Sequence, residues 1–251
     1  MRATGLESLG GIIPDGNSKG RGKLTGFYLI CLLGMGLSWM AAQRVRSSFA
    51  TYSQVPSSNG YTAAEAAYVM MQQAGINDVE IVPVAGTLTD HYSPKEKRLA
   101  LSEQVYASRS IAALGIACHE AGHAIQHAQG YLPLHLVSGI ARPAAIGQQF
   151  ALPIIVIGLM LNLLPIAWVG LGLFGATLAF QLMLLPVEFD ASARAKREIV
   201  GSGIIQASER EGVDAVLNAA AMTYVAAAFT TLLQFGYFAL QVFGRRDDES
   251  R

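Results

Sequence analysis

Residues 143–187 read PAAIGQQFALPIIVIGLMLNLLPIAWVGLGLFGATLAFQLMLLPV, and this stretch, bounded by Arg142 and Glu188, decides the fold class. It contains no aspartate, glutamate, lysine or arginine. A helix that crosses the hydrocarbon core of a bilayer needs about 20 predominantly apolar residues, so the stretch is long enough for two such helices. We therefore predict a membrane hairpin whose tight turn lies near residues 162–165.

The chain as a whole is also apolar. Of its 251 residues, 52% are hydrophobic and only 14% are charged, a balance that is unusual for a soluble protein. Two further apolar runs flank the hairpin. The first is expected to be an uncleaved anchor rather than a signal peptide, because no A-x-A cleavage site follows it cleanly. The sequence thus predicts a mainly α-helical membrane protein with about four transmembrane helices, at about residues 24–43, 145–163, 166–186 and 219–243.

A more polar segment, at about residues 44–142, is expected to form a small α+β extramembrane portion that rests on these helices. Thr62 and Glu65 have the spacing of a capping box and predict the start of a helix. Gly75 predicts its end, because glycine readily adopts the left-handed conformation that closes a helix.

Two β-like pieces follow, at residues 79–84 and 98–101, and predict a small sheet. We expect them to form a hairpin, with His91 on its loop. Residues 1–22 show no periodicity and predict a disordered tail, while residues 23–251 are expected to form a single membrane-embedded domain.

The pentapeptide His119-Glu120-Ala121-Gly122-His123 lies in an apolar run that predicts a helix beginning near Ser102 or Ser110. Residues four apart on a helix share a face, so both imidazoles can reach one ion while Glu120 lies beside its open coordination position. A purely structural metal site has no need of such a carboxylate, whereas peptide hydrolysis needs a general base. We therefore predict one zinc ion per chain, with Glu120 as the catalytic base.

A catalytic zinc takes three protein ligands and keeps a fourth position open. The metzincin pattern is excluded, because Gln126 and Gln129 occupy the places where it requires glycine and histidine. His127 is a poor third ligand, because three successive i, i+4 positions rise about 12 Å along a helix. We predict Glu188 instead. It follows the hairpin, whose two spans return the chain to the side of the membrane it left.

Further side chains are candidates for supporting roles. Asp190 is expected to accept a hydrogen bond from a ligand imidazole and so fix its orientation. Arg194, four residues further on, either pairs with Asp190 or contacts substrate. His91 either points into the active site or faces water. The candidate donors to the developing oxyanion are His91, Tyr106, Arg194 and Tyr224.

With the HExxH motif, Thr89-Asp90-His91-Tyr92 and Val187-Glu188-Phe189-Asp190-Ala191-Ser192 in view, the chain resembles the neutral zinc metallopeptidases of bacterial membranes. The likeness spans about residues 24–243 and is strongest over residues 99–126. It implies a membrane-embedded zinc peptidase with His119 and His123 as ligands and Glu120 as base.

The same arrangement is more distantly similar to the heat-shock membrane metalloproteases and the CAAX-prenyl endopeptidases. Those families place a glutamate and an aspartate four residues apart. Here the corresponding pair is Glu188 and Ser192, which makes Asp190 the expected substitute for the aspartate.

We therefore predict a zinc-dependent endopeptidase whose substrate is a membrane-associated protein or peptide. Two alternatives stay open, a metal-handling or transport protein and a catalytically silent membrane scaffold. Transport would place acids or bases inside the spans, whereas residues 147–185 and 219–243 contain none. A scaffold would be unaffected by Glu120→Gln.

The charge and cysteine content of the chain limit its expected partners and its expected cellular location. The chain has 18 lysines and arginines against 18 aspartates and glutamates, with no basic cluster that predicts a nucleic-acid surface. Cys31 and Cys118 are poorly placed to form a disulfide with each other. Together with the lysines and arginines around the spans, they favour a multi-pass protein of the cell membrane with its active site on the cytoplasmic side.

Overall fold

The computed structural model describes residues 17–249. That part of the chain forms seven α-helices, one turn of 3-10 helix and a three-stranded sheet. In chain order these are α1 (Asn17–Tyr52), α2 (Ala63–Gln73), β1 (Glu80–Val84), β2 (His91–Ser93), β3 (Arg98–Ser102), α3 (Glu103–Tyr106), α4 (Ile111–Ala128), α5 (Leu132–Met160), α6 (Leu164–Gly201), the 3-10 turn (Ala207–Glu209) and α7 (Arg210–Glu249).

Within residues 17–249, three helical segments are long and apolar enough to cross a membrane, namely Thr25–Tyr52, Leu164–Gly201 and Ala207–Arg245. Helix α5 supplies a fourth if its two parts count as one span. These parts, Leu132–Arg142 and Ala144–Met160, meet at an angle of 52° around Pro143, and proline is a common cause of such a kink. The chain is thus a mainly α-helical membrane protein with a small sheet, as the sequence predicted.

The helices extend well beyond the predicted span limits. Helix α1 begins at Asn17, so residues 17–22 are helical rather than disordered, and the rest of the predicted tail lies outside the described residues. At its other end α1 continues to Tyr52, whose ring packs against Gly212 at the start of α7. Tertiary contacts of this kind stabilise helical residues beyond the apolar run, and the hydropathy of the sequence alone does not predict those residues.

Helices α5 and α6 form the predicted hairpin. The turn between them includes Asn162, which has a left-handed φ of 57°. Two glycines let the helices approach closely. A Cβ at Gly158 would lie 2.5 Å from the nitrogen of Ala167, and one at Gly170 would lie 2.7 Å from the nitrogen of Ile155. Small residues at the interface are a common means of packing membrane helices.

Helices α1 and α7 run antiparallel beside this hairpin. Gly26 lies against Tyr237 and Gly34 against Thr230, while Tyr52 reaches Gly212, so residue numbers rise on one helix as they fall on the other. Their ends nearest Tyr52 and Gly212 meet the start of α4, where Gly212 lies against Ile111. The apolar spans therefore continue directly into the extramembrane portion.

The extramembrane portion is built around α4. The capping box predicted at Thr62 and Glu65 is present at the start of α2, and Gly75, just beyond the end of α2, has a φ of 75°. Helix α4 begins after Ser110, whose side chain accepts a hydrogen bond from the nitrogen of Ala113. The main core gathers buried side chains of α2, β3, α4, α6 and α7 around it.

The sheet corrects one prediction. Strands β1 and β3 pair in parallel, so they do not form a hairpin, and the intervening β2 pairs antiparallel with β3 on its other side. His91 therefore begins a strand instead of lying on a hairpin loop. The sequence of a short β-like run indicates that it forms a strand. Which strand it pairs with depends on which face of the sheet packs against α4.

Candidate metal centre

Three side chains from two distant parts of the chain converge where α4 crosses α6. The Nε2 atom of His119 lies 3.2 Å from Oε2 of Glu188, and Nε2 of His123 lies 3.7 Å from the same oxygen. The possible ligand atoms of the three residues all lie within 4.8 Å of one another. Two imidazole nitrogens and one carboxylate match a catalytic zinc site with an open fourth position.

Helix geometry explains why the two histidines act together. They are four residues apart on α4, so both rings project from one face, and their centroids are 4.8 Å apart in an edge-on arrangement. Both side chains are largely buried. The pair was predictable from the sequence, because the α-helical repeat alone aligns such residues.

Glu188 reaches the histidines because the α5–α6 hairpin folds back. At 1.5 Å per residue, the stretch of α6 from Leu164 to Glu188 is roughly 36 Å long, which exceeds the hydrocarbon thickness of about 30 Å. Helix α5 covers a similar length in the opposite direction. The carboxylate thus returns to the level of α4, and only 6% of the residue is exposed.

Gly122 allows α4 and α6 to approach closely at this point. A Cβ at Gly122 would lie 2.8 Å from the carbonyl oxygen of Ala191 and 3.2 Å from its Cα. Ala191 follows Glu188 by three residues on α6, so this contact sets the distance between the two halves of the centre. The small residue within the HExxH motif therefore has a packing role.

We expect Gly122→Ala to destabilise the protein by about 1–3 kcal/mol, because the added methyl overpacks against backbone that cannot move aside. It should also weaken zinc binding by moving α4 away from α6. Thermal unfolding and zinc content measure the two effects. The control is Gly139→Ala on α5, where a Cβ has no neighbour within 4 Å. Equal effects of the two changes would contradict this assignment.

A buried glutamine fixes the orientation of His123. Gln126 is 0% exposed, and its Nε2 donates to the carbonyl oxygen of Val187 and to Oδ2 of Asp190, both at 2.8 Å. Its Oε1 is therefore left to accept a hydrogen bond from Nδ1 of His123 at 2.9 Å. Because Nδ1 carries the proton, Nε2 is directed at Glu188 with its lone pair free for a cation.

Ser192 performs the same task for His119. Its Oγ lies 3.1 Å from Nδ1 of His119 and can accept the proton of that nitrogen. Ser192 is four residues after Glu188 on α6, and in this chain a hydroxyl stands where the two distantly similar families named above place an aspartate. Both ligand imidazoles consequently present Nε2 to the same point.

The Asp190 carboxylate, which we predicted to accept a hydrogen bond from a ligand imidazole, instead contacts Gln126 and Arg194 among the described residues. Its Oδ2 accepts hydrogen bonds from Gln126 and, at 2.6 Å, from Nε of Arg194, so it reaches His123 only through Gln126. The expected pairing of Arg194 with Asp190 is present, and Arg194 also donates to Oε1 of Gln129 at 2.6 Å. These side chains form a chain of hydrogen bonds from His123 to the protein surface.

Sequence reasoning missed Gln126 and Ser192 as supports of the histidines. A signal was present for each. Gln126 follows His123 by three residues on one helix, which places their side chains together, and Ser192 follows Glu188 by four residues, the spacing at which the distantly similar families place an aspartate. The sequence could not show that the Gln126 amide is buried against α6, which fixes its orientation.

We expect Gln126→Leu to lower zinc affinity by about 10- to 100-fold, because His123 loses the acceptor that fixes its ring. Competition with a chromogenic chelator measures the affinity. Gln72→Leu on the exposed face of α2 is the matched control. Unchanged affinity in Gln126→Leu would show that packing alone orients the ring.

The charges around His123 favour a cation at this point. Burial disfavours its protonated form. The hydrogen bond with Glu188 and the negative charges of Glu120 and Glu188 outweigh that effect and raise the pKa of His123 to about 9. The same negative charges that stabilise a protonated imidazole also favour a metal cation at Nε2 of the neutral ring.

The remaining candidate oxyanion donors differ in whether they contact the cluster of His119, His123 and Glu188. The Tyr224 hydroxyl on α7 interacts with the Glu188 carboxylate. His91 is exposed, and its Nδ1 lies 2.9 Å from the carbonyl oxygen of Thr89. Tyr106 packs against the main core. Of the four candidate oxyanion donors, Tyr224 is the one with a contact to the cluster among the described residues.

Two nearby groups have other roles. Nδ1 of His127 lies 2.8 Å from the hydroxyl of Tyr92, which directs this ring away from the other two histidines. Cys118 is fully buried, and burial raises the pKa of its thiol to about 12. The thiol therefore stays protonated and acts as a small apolar core residue.

Glu120 borders a cavity beside the centre. The cavity has a volume of about 150 Å³, and His119 and Glu120 form part of its wall. Glu120 is half-buried and contributes negative charge at His123 without joining the convergent ligand atoms. This arrangement places its carboxylate beside the candidate centre but outside the convergent ligand set.

Comparison with known proteins agrees with these features. A family model described as "Putative neutral zinc metallopeptidase" matches residues 27–243. The chain is also 42% identical over 222 residues to "Putative membrane protease YugP" of Bacillus subtilis (strain 168). That alignment covers 88% of this chain and 99% of the relative. No solved structure matches the chain.

Proposed function

The chain belongs to the neutral zinc metallopeptidase family whose model it matches over residues 27–243, and from this membership we propose that it is a membrane-embedded endopeptidase that uses Glu120 as general base. One observation carries the proposal. Nε2 of His119, Nε2 of His123 and the carboxylate of Glu188 converge within 4.8 Å, directly beside a cavity bordered by Glu120. That combination suits hydrolysis of a bond held in the cavity.

In this proposal His119, His123 and Glu188 hold one zinc ion. The donor set fits zinc, because both imidazoles have their Nδ1 atoms hydrogen-bonded and their Nε2 atoms directed at one carboxylate oxygen. When bound, zinc lowers the pKa of a water molecule and polarises a carbonyl group. Hydrogen bonds with Ser192 and Gln126 orient the two imidazole rings for zinc binding.

Glu120 moves the proton. Its carboxylate takes a proton from the attacking water as the water oxygen bonds to the carbonyl carbon of the scissile peptide. It then gives that proton to the amide nitrogen as the carbon–nitrogen bond breaks, so the products are a carboxylic acid and an amine. The half-buried position of Glu120 at the cavity wall supports this role, because a base must lie beside the substrate.

Tyr224 is our proposed donor to the developing oxyanion. Its hydroxyl already interacts with Glu188, so it lies beside the carboxylate that completes the centre. A phenolic hydroxyl can donate to a negatively charged oxygen, and a donor matters most where charge develops in the transition state.

We propose a multi-pass arrangement in the cell membrane with the active site on the cytoplasmic side. The apolar segments of α1, α6 and α7, with α5 bent beside them, support the multi-pass part. The basic residues Arg142, Arg194, Lys196 and Arg197 near the site end of the helices, and the unpaired cysteines, support the cytoplasmic side. A substrate associated with the membrane follows from the position of the centre at the end of these spans.

Removal of the metal tests the proposed reaction. We expect EDTA to abolish hydrolysis of casein by the detergent-purified protein, and added Zn²⁺ to restore it. Peptide release measured by mass spectrometry gives the readout. EDTA saturated beforehand with zinc is the control and should leave activity intact. Hydrolysis that persists in metal-free protein would contradict the proposal.

A further inference from the structure

The cavity beside the centre has apolar walls. Besides His119 and Glu120, the side chains that line it come mainly from α1, α4 and α7: Val45, Phe49, Ile116, Val216, Leu217 and Ala220. Its volume is about 150 Å³. A site for one water molecule needs only about 10–15 Å³, whereas an apolar cavity of about 150 Å³ engineered in another protein binds benzene. The space therefore suits one large side chain.

The loop between β1 and β2 completes the wall. Leu88 lines the cavity and adopts a left-handed φ of 54°. Asp90 lines it as well, and its carboxylate is held by hydrogen bonds from the nitrogen of Ser102 at 2.8 Å and from the Ser102 hydroxyl at 3.1 Å. Thr89, between them, donates from its hydroxyl to the carbonyl oxygen of Ala85. These hydrogen bonds tie the loop to Ala85 and to Ser102 beside the cavity.

The charges at the wall restrict what can enter. Asp90 and Glu120 are the two carboxylates of the lining, and no lysine or arginine is among the described residues that form it. An acidic side chain would face both carboxylates without a basic partner. The Asp90 oxygens already accept hydrogen bonds from the nitrogen and hydroxyl of Ser102. The remainder of the surface is formed by apolar side chains and matches an apolar group.

We propose that this cavity receives one large apolar side chain of the substrate, the size of leucine or phenylalanine, from a residue adjacent to the scissile bond. The inference rests on the proposed peptidase function, because His119 and Glu120 form part of the same wall. In this proposal α1, α7 and the loop between β1 and β2 determine which substrate residue the cavity accepts. Ala220, on α7, lines the cavity.

Cleavage profiling tests this proposal. A library of peptides from a digested bacterial proteome is incubated with the zinc-loaded protein in detergent, and mass spectrometry identifies each bond that is cut. Ala220→Phe fills the cavity, while Ala226→Phe adds the same group to the same helix at a separate apolar groove lined by Met40 and Phe229. Glu120→Gln gives the background.

The wild-type protein should prefer leucine or phenylalanine over alanine at one fixed position beside the cut by roughly 10- to 200-fold. Ala220→Phe should reduce that preference to a few-fold and shift it toward alanine or glycine, while Ala226→Phe keeps the wild-type profile. A preference for basic or acidic residues, or a profile unaltered by Ala220→Phe, would overturn the inference and leave the peptidase function intact.

Two further outcomes separate the inference from its premise. Absence of any cleavage that depends on Glu120 would overturn the peptidase function and, with it, this inference. If Ala220→Phe loses all activity, a measurement of peptide binding decides whether the cavity selects a side chain. Labelled peptides that carry leucine or alanine at the selected position are titrated into Glu120→Gln with and without Ala220→Phe. Equal loss of affinity for both peptides would count against a side-chain cavity.

Discussion

Replacing Glu188 with alanine should lower zinc affinity by more than about 100-fold, so we expect the purified variant to retain almost no zinc and the wild type to hold one ion per chain. Changes to residues that only orient a ligand cost about 10- to 100-fold, and the loss of a ligand exceeds that range. Glu188 is the oxygen donor that meets both histidines, at 3.2 and 3.7 Å from their Nε2 atoms.

Elemental mass spectrometry of wild type and variant, purified identically in detergent, measures this effect. Glu198→Ala is the matched control, because Glu198 lies on the same helix and its carboxylate pairs with Arg197. Circular dichroism distinguishes a lost ligand from a lost fold, since α6 should remain helical. Equal zinc in wild type and Glu188→Ala would transfer the third ligand to another residue.

Glu120→Gln should reduce peptide hydrolysis by about 10²- to 10⁴-fold while zinc content stays at the wild-type level. The amide has nearly the shape of the carboxylate but cannot take a proton from water. Zinc should remain because Glu120 lies outside the convergent set of His119, His123 and Glu188. This separation of turnover from metal binding distinguishes a base from a ligand.

Hydrolysis of casein at saturating zinc, together with zinc content, provides both readouts. Glu103→Gln, at an exposed position of the short helix α3, serves as the control and should retain full activity. Wild-type turnover in Glu120→Gln would favour the silent scaffold among the alternatives. A simultaneous loss of zinc would instead make Glu120 a ligand.

The features that the sequence determined are local. The spacing of His119 and His123, the capping box at Thr62 and Glu65, and the turn at Asn162 each depend on residues a few positions apart. Hydrogen bonds of one helical turn, and the φ preference of single residues, fix such features almost independently of the rest of the chain. Span length follows from hydropathy because the bilayer has a fixed thickness.

The tertiary structure decided which distant side chains meet. His119 and Glu188 are 69 positions apart, and their contact depends on the α5–α6 hairpin and on the close approach of Gly122 to Ala191. The parallel pairing of β1 with β3 and the arrival of Tyr224 from α7 likewise follow from packing against α4. The orientation of the Gln126 amide is fixed because its buried NH₂ group donates to Val187 and Asp190. The sequence predicted the candidate ligands His119, His123 and Glu188 and the helices that carry them. Only tertiary packing decided their distances and supports, because these depend on which buried surfaces fit together.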